Sequence, residues 1–455
     1  MPQQYAMNPH AIRPELKPAH APRSAALPLP LPPPLSMSPE WLLGLFLLGL
    51  IPRLALLALQ PERLEAWEYE TLATNILNGQ GYQIVRFGHV AFGFGDGNLY
   101  SFLAASVYFV AGHNLMVLAV VQAAIASLAA PVIFVVGGRA FGWPVAGLGA
   151  ALAALHPGLL MYTLKLHPLG LDVLLMVLVV FWIGQVGDGM RSGVLAGLAL
   201  GMGLMSRPTL FVAGVAALGA RWLASRRGLL PVLAAVTVGV MVASPWVIRN
   251  WAVLGRPVFI TTSLEDVWKG NNPQASGSSY LPNGTDIFAA TPPELMARLR
   301  QATELELNDV FGQEVIAFVT QRPRDFFALS ARKFVYFWSL SPQAGPLYPA
   351  SWLAAYGVYA TVILTFGAVG AIAVLRRGTP QERSLLGTLA TISCVLAMIH
   401  ALSYVEGRHR WGIEPLLLLL TSRGLFATSR VLRPPALLHR LPLRSSRKRN
   451  IAQAE

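Results

Sequence analysis

Apolar runs of nearly twenty residues recur along this chain from Trp41 to Ala427. A helix of about 20 apolar residues crosses a hydrocarbon layer about 30 Å thick. Charged residues make up 13% of the chain and hydrophobic residues 54%, whereas soluble domains carry about 25% charged residues. The sequence therefore predicts an all-α, polytopic helical membrane protein.

Ten segments are predicted to enter the membrane. Two of them, 193–206 and 208–222, are short and meet at Arg207, so they form either two spans or a hairpin that dips into the bilayer. The ten segments are 41–60, 115–137, 145–163, 169–187, 193–206, 208–222, 230–248, 352–375, 386–404 and 411–427.

Two tails flank a predicted membrane domain of residues 40–427. Residues 1–39 are rich in proline, which predicts an extended cytoplasmic lead-in rather than a folded domain. Residues 428–455 hold seven Lys and Arg against the single acid Glu455. Such a basic tail is expected to contact anionic lipid headgroups on the cytoplasmic side.

The loops differ in charge, which predicts the topology. Residues 221–227 and 376–383 each hold three arginines, and cytoplasmic loops collect Lys and Arg. With ten crossings these loops share the cytoplasmic side with the basic tail, and the loops 61–114 and 249–351 face outward. This pattern explains the net charge of +13 without a nucleic-acid partner.

Both outer loops contain apolar or amphipathic segments that are too short to span a bilayer. Residues 99–112 are apolar, and residues 309–320 and 326–340 have amphipathic patterns. Each of the three segments predicts a helix that lies along the membrane interface.

An acidic run, Glu65-Ala66-Trp67-Glu68-Tyr69-Glu70, follows the first predicted span. On a helix Glu65, Glu68 and Tyr69 would share one face, because they stand three and four residues apart. A carboxylate beside a membrane can act as a general base. The alternative is that these acids only stabilise a helix N-terminus.

Several cations stand at or near the outward ends of predicted helices. There they either bind a phosphate at membrane level, where the low dielectric strengthens attraction, or extend their side chains to lipid headgroups. These cations are Lys165, Arg207, Arg249, Lys269, Arg408 and Arg410. The neighbouring His167 and His409 are more often structural than catalytic.

Carboxylates, cations and an apolar body together suit one kind of reaction, the transfer of a sugar from a lipid phosphate. The attacking hydroxyl loses a proton to a carboxylate, the anomeric carbon becomes oxocarbenium-like, and fixed positive charge stabilises the departing phosphate. The sequence has no metal-ligand spacing, so we predict no cofactor, although a divalent metal is possible.

The chain resembles the C-type-fold membrane glycosyltransferases that use polyprenyl- or dolichyl-phosphate-linked sugars, a group that includes protein O-mannosyltransferase and aminoarabinose transferase relatives. The resemblance covers residues 41–420. It rests on the order of these short motifs: 65–69 (EAWEY), 75–82 (NILNGQGY), 99–100 (LY), 155–157 (LHP), 206–209 (SRPT), 245–250 (PWVIRN), 268–271 (WKGN) and 408–410 (RHR).

This resemblance implies an inverting transfer from a polyprenyl-phosphate-sugar donor to a hydroxyl of a glycan, lipid or protein. The family base is usually an aspartate four residues before a tyrosine, which matches Glu65 before Tyr69, with Glu68 as the alternative. The family also usually has Pro-Pro before Leu-Tyr, where this chain has Gly97-Asn98. Predicted residues of the substrate cleft are Tyr69, Asp96, Tyr100, His167 and Tyr404.

Two other classes of protein remain as alternatives. A lipid or solute transporter or flippase often has internal repeats, but the halves of this chain show no twofold similarity and the acids cluster in the outer loops. A noncatalytic partner in envelope assembly is the third class. The short loops favour the bacterial inner membrane, with the active site facing the periplasm.

Overall fold

The computed structural model describes residues 38–226, 228–339 and 348–432. Residues 1–37 and 433–455 lie outside the described residues, and with them most of the proline-rich and basic tails predicted from the sequence. Nearly all regular structure in the described ranges is helical, which confirms the predicted fold class.

The helices, in chain order, have the following bounds. They are α1 Pro39–Leu59, α2 Glu68–Leu77, α3 Asn98–Ala111, α4 Leu115–Ser127, α5 Ala129–Phe141, α6 Trp143–Ala154, α7 Pro157–Met161, α8 Leu169–Ile183, α9 Met190–Ser206, α10 Pro208–Ser225, α11 Leu229–Leu254, α12 Ser263–Lys269, α13 Pro293–Gln301, α14 Glu304–Gln321, α15 Pro323–Trp338, α16 Ala350–Arg377, α17 Pro380–Leu402, α18 Gly407–Trp411 and α19 Glu414–Leu432.

Seven helical stretches in the described ranges are long and apolar enough to cross a membrane. They are Pro39–Leu59, Leu115–Phe141, Trp143–Leu164, Pro208–Ser225, Leu229–Leu254, Ala350–Arg377 and Pro380–Leu402. All ten predicted segments overlap helices, but the count of ten spans is not confirmed. The 15 residues of α8, for example, rise only about 22 Å at 1.5 Å per residue.

Three glycines let α9 approach α11 closely. They are Gly193, Gly197 and Gly201, which stand four residues apart and therefore share one face of α9. A Cβ on Gly193 would lie 2.5 Å from Pro231 O, and one on Gly197 would lie 2.7 Å from Ala235 O. Small residues at this spacing are typical of membrane helices in close contact.

Two short strand pairs organise the outer loops. Strand β1 (Glu65–Ala66) pairs in parallel with β4 (Lys165–Leu166), and β2 (Ile84–Arg86) forms an antiparallel hairpin with β3 (His89–Ala91). The second outer loop carries α12 to α15, and α12, α13 and α14 pack around an apolar cluster that includes Trp268, Leu299 and Phe311.

Helices occupy the three predicted interfacial segments, as α3, α14 and α15. Helix α14 begins five residues before the predicted 309–320 segment because Thr303 and Glu306 form a capping box, which stabilises a helix start at that point. Contact of the three helices with a membrane surface stays a prediction.

Candidate active site

A cavity of about 480 Å³ is lined by the first turn of α2, by Arg207 between α9 and α10, by α12 and by the end of α17. Its wall contains four cations and four carboxylates. They are Arg86, Arg207, Lys269 and Arg408, with Glu68, Asp96, Glu265 and Asp266. Among the predicted cleft residues, Tyr69, Asp96, His167 and Tyr404 also line this cavity.

Glu65 does not share a helical face with Glu68, so that prediction is wrong. The backbone at Glu65 is extended because it pairs with Lys165 in the β1–β4 ladder, and α2 begins only at Glu68. The Glu65 side chain is 55% exposed and its Oε2 lies 2.5 Å from Lys165 Nζ. Both residues line a separate cavity of about 600 Å³.

Glu68 faces the main cavity from the first turn of α2. Its carboxylate has no ion-pair partner among the described residues, whereas Asp96, Glu265 and Asp266 each have at least one. Burial raises the pKa of Glu68, with Arg408 and Lys269 acting in the opposite direction. Glu68 is therefore the cavity carboxylate that is best placed to accept a proton.

Arg207 is the centre of a partly buried ionic cluster. Its Nη1 lies 3.1 Å from Asp96 Oδ2 and its Nε lies 2.9 Å from Asp172 Oδ2. Asp172 on α8 is almost completely buried and also accepts a 2.5 Å hydrogen bond from Ser206 Oγ. Arg207 is extended between α9 and α10 because the following Pro208 disfavours helical geometry at its neighbour.

Helix α12 brings a second ionic cluster to the cavity wall. Lys269 Nζ lies 3.1 Å from Glu265 Oε1 and 3.0 Å from Asp266 Oδ1. Burial alone would lower the pKa of Lys269, but these two carboxylates raise it well above its usual range. Arg86 Nη2 reaches the same Glu265 at 2.5 Å, so the two outer loops meet at this carboxylate.

Arg408 and Arg410, which the sequence predicts to bind phosphate together, point to different places in the structure. Arg408 lines the cavity, lies 3.1 Å from Glu406 and sits 5.3 Å from the Trp67 ring centroid. Arg410 points away into the protein, where its Nε lies 2.7 Å from Glu414 Oε2. Residues two apart on a helix do not share a face, which is why the helical turn α18 separates them.

Three more predicted site residues lie outside the main cavity. Arg249 donates to the backbone oxygens of Phe92 at 2.5 Å and Tyr82 at 2.9 Å. Tyr100 is buried and its hydroxyl donates to Gln122. Lys165 contacts Glu65 at the neighbouring cavity. The three residues therefore do not line the main cavity, and the roles in phosphate binding and in the substrate cleft that the sequence predicts for them stay predictions.

His167 and His409 both line the cavity as buried rings. Burial lowers the pKa of each well below its usual value, and Arg408 adds to the effect. Both imidazoles are therefore neutral near pH 7. His167 packs edge-on against Tyr69 at 5.6 Å between ring centroids, in keeping with a structural role.

Asp172, Glu265 and Asp266 are functional candidates that the sequence did not predict. A signal existed for the last two, because they stand four and three residues before Lys269 on what proves to be one helix. Asp172 gave no comparable signal, since its partner Arg207 is 35 residues away.

Gly97 holds the loop beside Asp96 against α2. It has φ +82°, and a Cβ added there would lie 2.3 Å from Tyr69 Cε1. Proline has φ near −65°, so the Pro-Pro pair usual in the resembling family cannot adopt this conformation at position 97. The loop therefore differs in shape from the family pattern at the cavity wall.

Replacing Gly97 by alanine is expected to destabilise the protein more than replacing Gly95. Each substitution strains a left-handed residue by about 1–2 kcal/mol, but only the alanine at 97 also collides with Tyr69, since nothing lies within 4 Å of a Cβ at Gly95. Thermal unfolding of the two variants in one detergent checks this. Equal losses would mean that the Tyr69 contact is unimportant.

Within the described ranges, no group of three or more His, Cys, Asp or Glu side chains could hold a metal ion. The prediction that the protein needs no cofactor stays a prediction.

Residues 97–249 match the family described as dolichyl-phosphate-mannose-protein mannosyltransferase. The apo oligosaccharyltransferase of Archaeoglobus fulgidus is 13% identical and aligns with a TM-score of 0.50, over 87% of this chain and 51% of that chain. The chain has the C-type glycosyltransferase fold. This result confirms the resemblance found in the sequence.

Two further solved structures are similar. The archaeal oligosaccharyltransferase AglB from A. fulgidus, in complex with an inhibitory peptide and a dolichol-phosphate, has 15% identity and a TM-score of 0.51 over 86% of this chain and 51% of that chain. ArnT from Cupriavidus metallidurans, bound to undecaprenyl phosphate, has 16% identity and a TM-score of 0.40, over 86% of this chain and 79% of that chain.

The C-type fold thus extends over most of this chain, which spans about half the length of the oligosaccharyltransferase structures it matches. No curated protein matches the chain by sequence.

Proposed function

We propose that this protein is an integral membrane glycosyltransferase that transfers a sugar from a polyprenyl-phosphate-linked donor to a hydroxyl acceptor. The observation that carries the proposal is the carboxylate of Glu68, which has no ion-pair partner in the described part of the chain and lies in one cavity with Arg207, Lys269 and Arg408. The matching mannosyltransferase family and the C-type fold support the same reaction.

In the proposed reaction Glu68 accepts the proton of the acceptor hydroxyl as its oxygen attacks the anomeric carbon. A new bond from that carbon to the acceptor oxygen forms as the bond to the phosphate oxygen breaks. Attack from the side opposite the phosphate inverts the configuration. The polyprenyl phosphate departs with the bonding electron pair, and the cavity cations stabilise its charge.

The cations of the cavity already contact carboxylates, so each must be able to bind a phosphate and its carboxylate partner at the same time. Arg408 uses Nη2 to reach Glu406, and Arg207 uses Nη1 and Nε to reach Asp96 and Asp172. A guanidinium has five N–H donors in a fixed plane. Each arginine can therefore keep its carboxylate partner and still donate to a phosphate oxygen.

We place the protein in a bacterial inner membrane with the cavity facing the periplasm. The cavity lies at the start of α10 and the end of α17. The opposite ends of these helices carry Arg226 and Arg383, and α16 ends at Arg377. The enrichment of cytoplasmic loops in arginine supports this orientation.

Binding of undecaprenyl phosphate to the detergent-purified protein tests the proposal. Native mass spectrometry is expected to show a bound complex that added bulk phospholipid does not displace. Replacing Arg408 by Met should weaken binding about tenfold, a loss of about 1.4 kcal/mol, because a cavity cation is lost.

The matched control is Arg298→Met, which removes an outer-loop arginine that contacts Glu314 away from the cavity and should leave binding unchanged. No selective binding by the wild-type protein would overturn the proposal and favour a transporter or an assembly partner.

A further inference from the structure

Lys333 on α15 is completely buried, yet it lies outside the cavity. Its Nζ donates three hydrogen bonds, to Gly270 O at 3.1 Å, to Asn271 Oδ1 at 2.8 Å and to Ser403 O at 2.7 Å. An ammonium has three donors, so this geometry satisfies all of them. We call Lys333, Gly270, Asn271 and Ser403 the Lys333 cluster.

The Lys333 cluster joins the end of α12 to the end of α17. A Cβ on Gly270 would lie 1.8 Å from Ser403 O, so the two backbones touch and only glycine fits. Asn271 Nδ2 also donates to Leu402 O at 2.7 Å. Lys333 therefore reinforces a direct backbone contact between two segments that are far apart in sequence.

In each of these two segments, the residue adjacent to the contact lines the cavity. Lys269 precedes Gly270, Tyr404 follows Ser403, and both line the cavity. Lys269 Nζ lies 5.7 Å from the Tyr404 ring centroid. A shift of α12 against α17 would therefore move Lys269 relative to Tyr404.

Burying a lysine at position 333 costs free energy that burying an apolar residue there would not. No carboxylate pairs with Lys333 among the described residues, and burial lowers its pKa to about 7. Removing the ammonium, however, would leave three buried acceptors without this donor, which is costly in itself. Lys333 thus fixes a specific geometry rather than adding apolar stability.

We propose that Lys333 is a positioning residue that holds Lys269 in place to bind the donor phosphate. This inference rests on the proposed function, because it takes Lys269 as a phosphate ligand. Lys333 itself does not touch the donor and acts through the contact between Gly270 and Ser403.

Binding of undecaprenyl phosphate to a set of full-length variants tests the inference. Lys333→Met is expected to weaken binding about tenfold. Two controls on α15 separate positioning from other effects. Leu329→Ala loosens the buried face of the same helix, and Arg332→Met removes an exposed charge next to Lys333. Both controls should bind within about twofold of the wild-type protein, even if Leu329→Ala lowers the unfolding temperature equally.

A double variant gives the sharper readout. If Lys333 acts through Lys269, Lys333→Met should add no further loss in a Lys269→Met background. If Lys333→Met fails to fold, Asn271→Ala removes a different member of the Lys333 cluster and should show the same dependence on Lys269.

Three outcomes would overturn the inference: wild-type affinity in both cluster variants, an equal loss in either control, or full additivity with Lys269→Met. Failure of the wild-type protein to bind would instead defeat the proposed function itself.

Discussion

Replacing Glu68 by Gln is expected to lower kcat for sugar transfer by about 10²–10⁴-fold, the usual contribution of a general base. The amide fills the same space but cannot accept the acceptor proton. Release of polyprenyl phosphate from polyprenyl-phosphate sugars in proteoliposomes measures the effect. Binding of undecaprenyl phosphate should change little, because the cavity cations stay in place.

Two neighbouring glutamates provide the comparison. Glu70→Gln alters a carboxylate that contacts His113 at 2.6 Å outside the cavity, so it should keep near-normal transfer. Glu65→Gln tests the base that the family resemblance implies, at a position where the side chain contacts Lys165 instead of the main cavity. A larger loss for Glu65→Gln than for Glu68→Gln would contradict the assignment of Glu68.

The pH dependence of transfer gives an independent check on the base. Glu68 must be ionised to accept a proton, so kcat/KM should fall as the pH is lowered through its pKa. Burial raises that pKa above its usual value, so the acid limb should lie above the range of an ordinary glutamate. An acid limb that persists unchanged in the residual activity of Glu68→Gln would show that another group is responsible.

Replacing Arg207 by Met is expected to destabilise the protein by about 3–5 kcal/mol, the usual cost of removing one partner from a buried ion pair. Asp172 is 1% exposed and would lose its cation, and Asp96 would lose the same partner at the cavity wall. Thermal unfolding in detergent measures the loss. Binding of undecaprenyl phosphate should fall as well, because Arg207 is a proposed phosphate ligand.

The double variant Asp172→Asn with Arg207→Met separates these two effects. An amide at 172 removes the unpaired buried charge and can still accept the hydrogen bond from Ser206, so most of the stability should return. Donor binding should stay weak, since the cation is still missing. Recovery of both properties would show that Arg207 serves only the fold.

Sequence patterns predicted the membrane helices because a bilayer imposes a length and a composition on every span. Local signals also predicted that Arg207 lies between two helices, since Pro208 disfavours helical geometry at Arg207 and begins the next helix. Cavity residues such as Lys269 and Arg408 were found because cations at helix ends are visible in a single sequence.

The errors arise where long-range contacts override local patterns. Glu65 fitted a helical face, but its pairing with Lys165, 100 residues away, makes it extended. Arg410 looked equivalent to Arg408, but its Nη1 donates to Phe337 O, 73 residues away, inside the protein. Asp172 was missed because a single acid in an apolar run does not reveal its partner. Contacts between distant residues cannot be read from local spacing.

The residues that line the cavity are widely spaced along the chain, so the cavity forms only after most of the chain has been synthesised. Trp67 and Arg408 stand at opposite ends of the sequence yet contact each other across the cavity. Since a chain emerges from the ribosome N-terminus first, most membrane helices are synthesised before Arg408 is available. The cavity is therefore among the last parts to assemble, and a chain that stops before α18 would have most of its spans but an incomplete cavity.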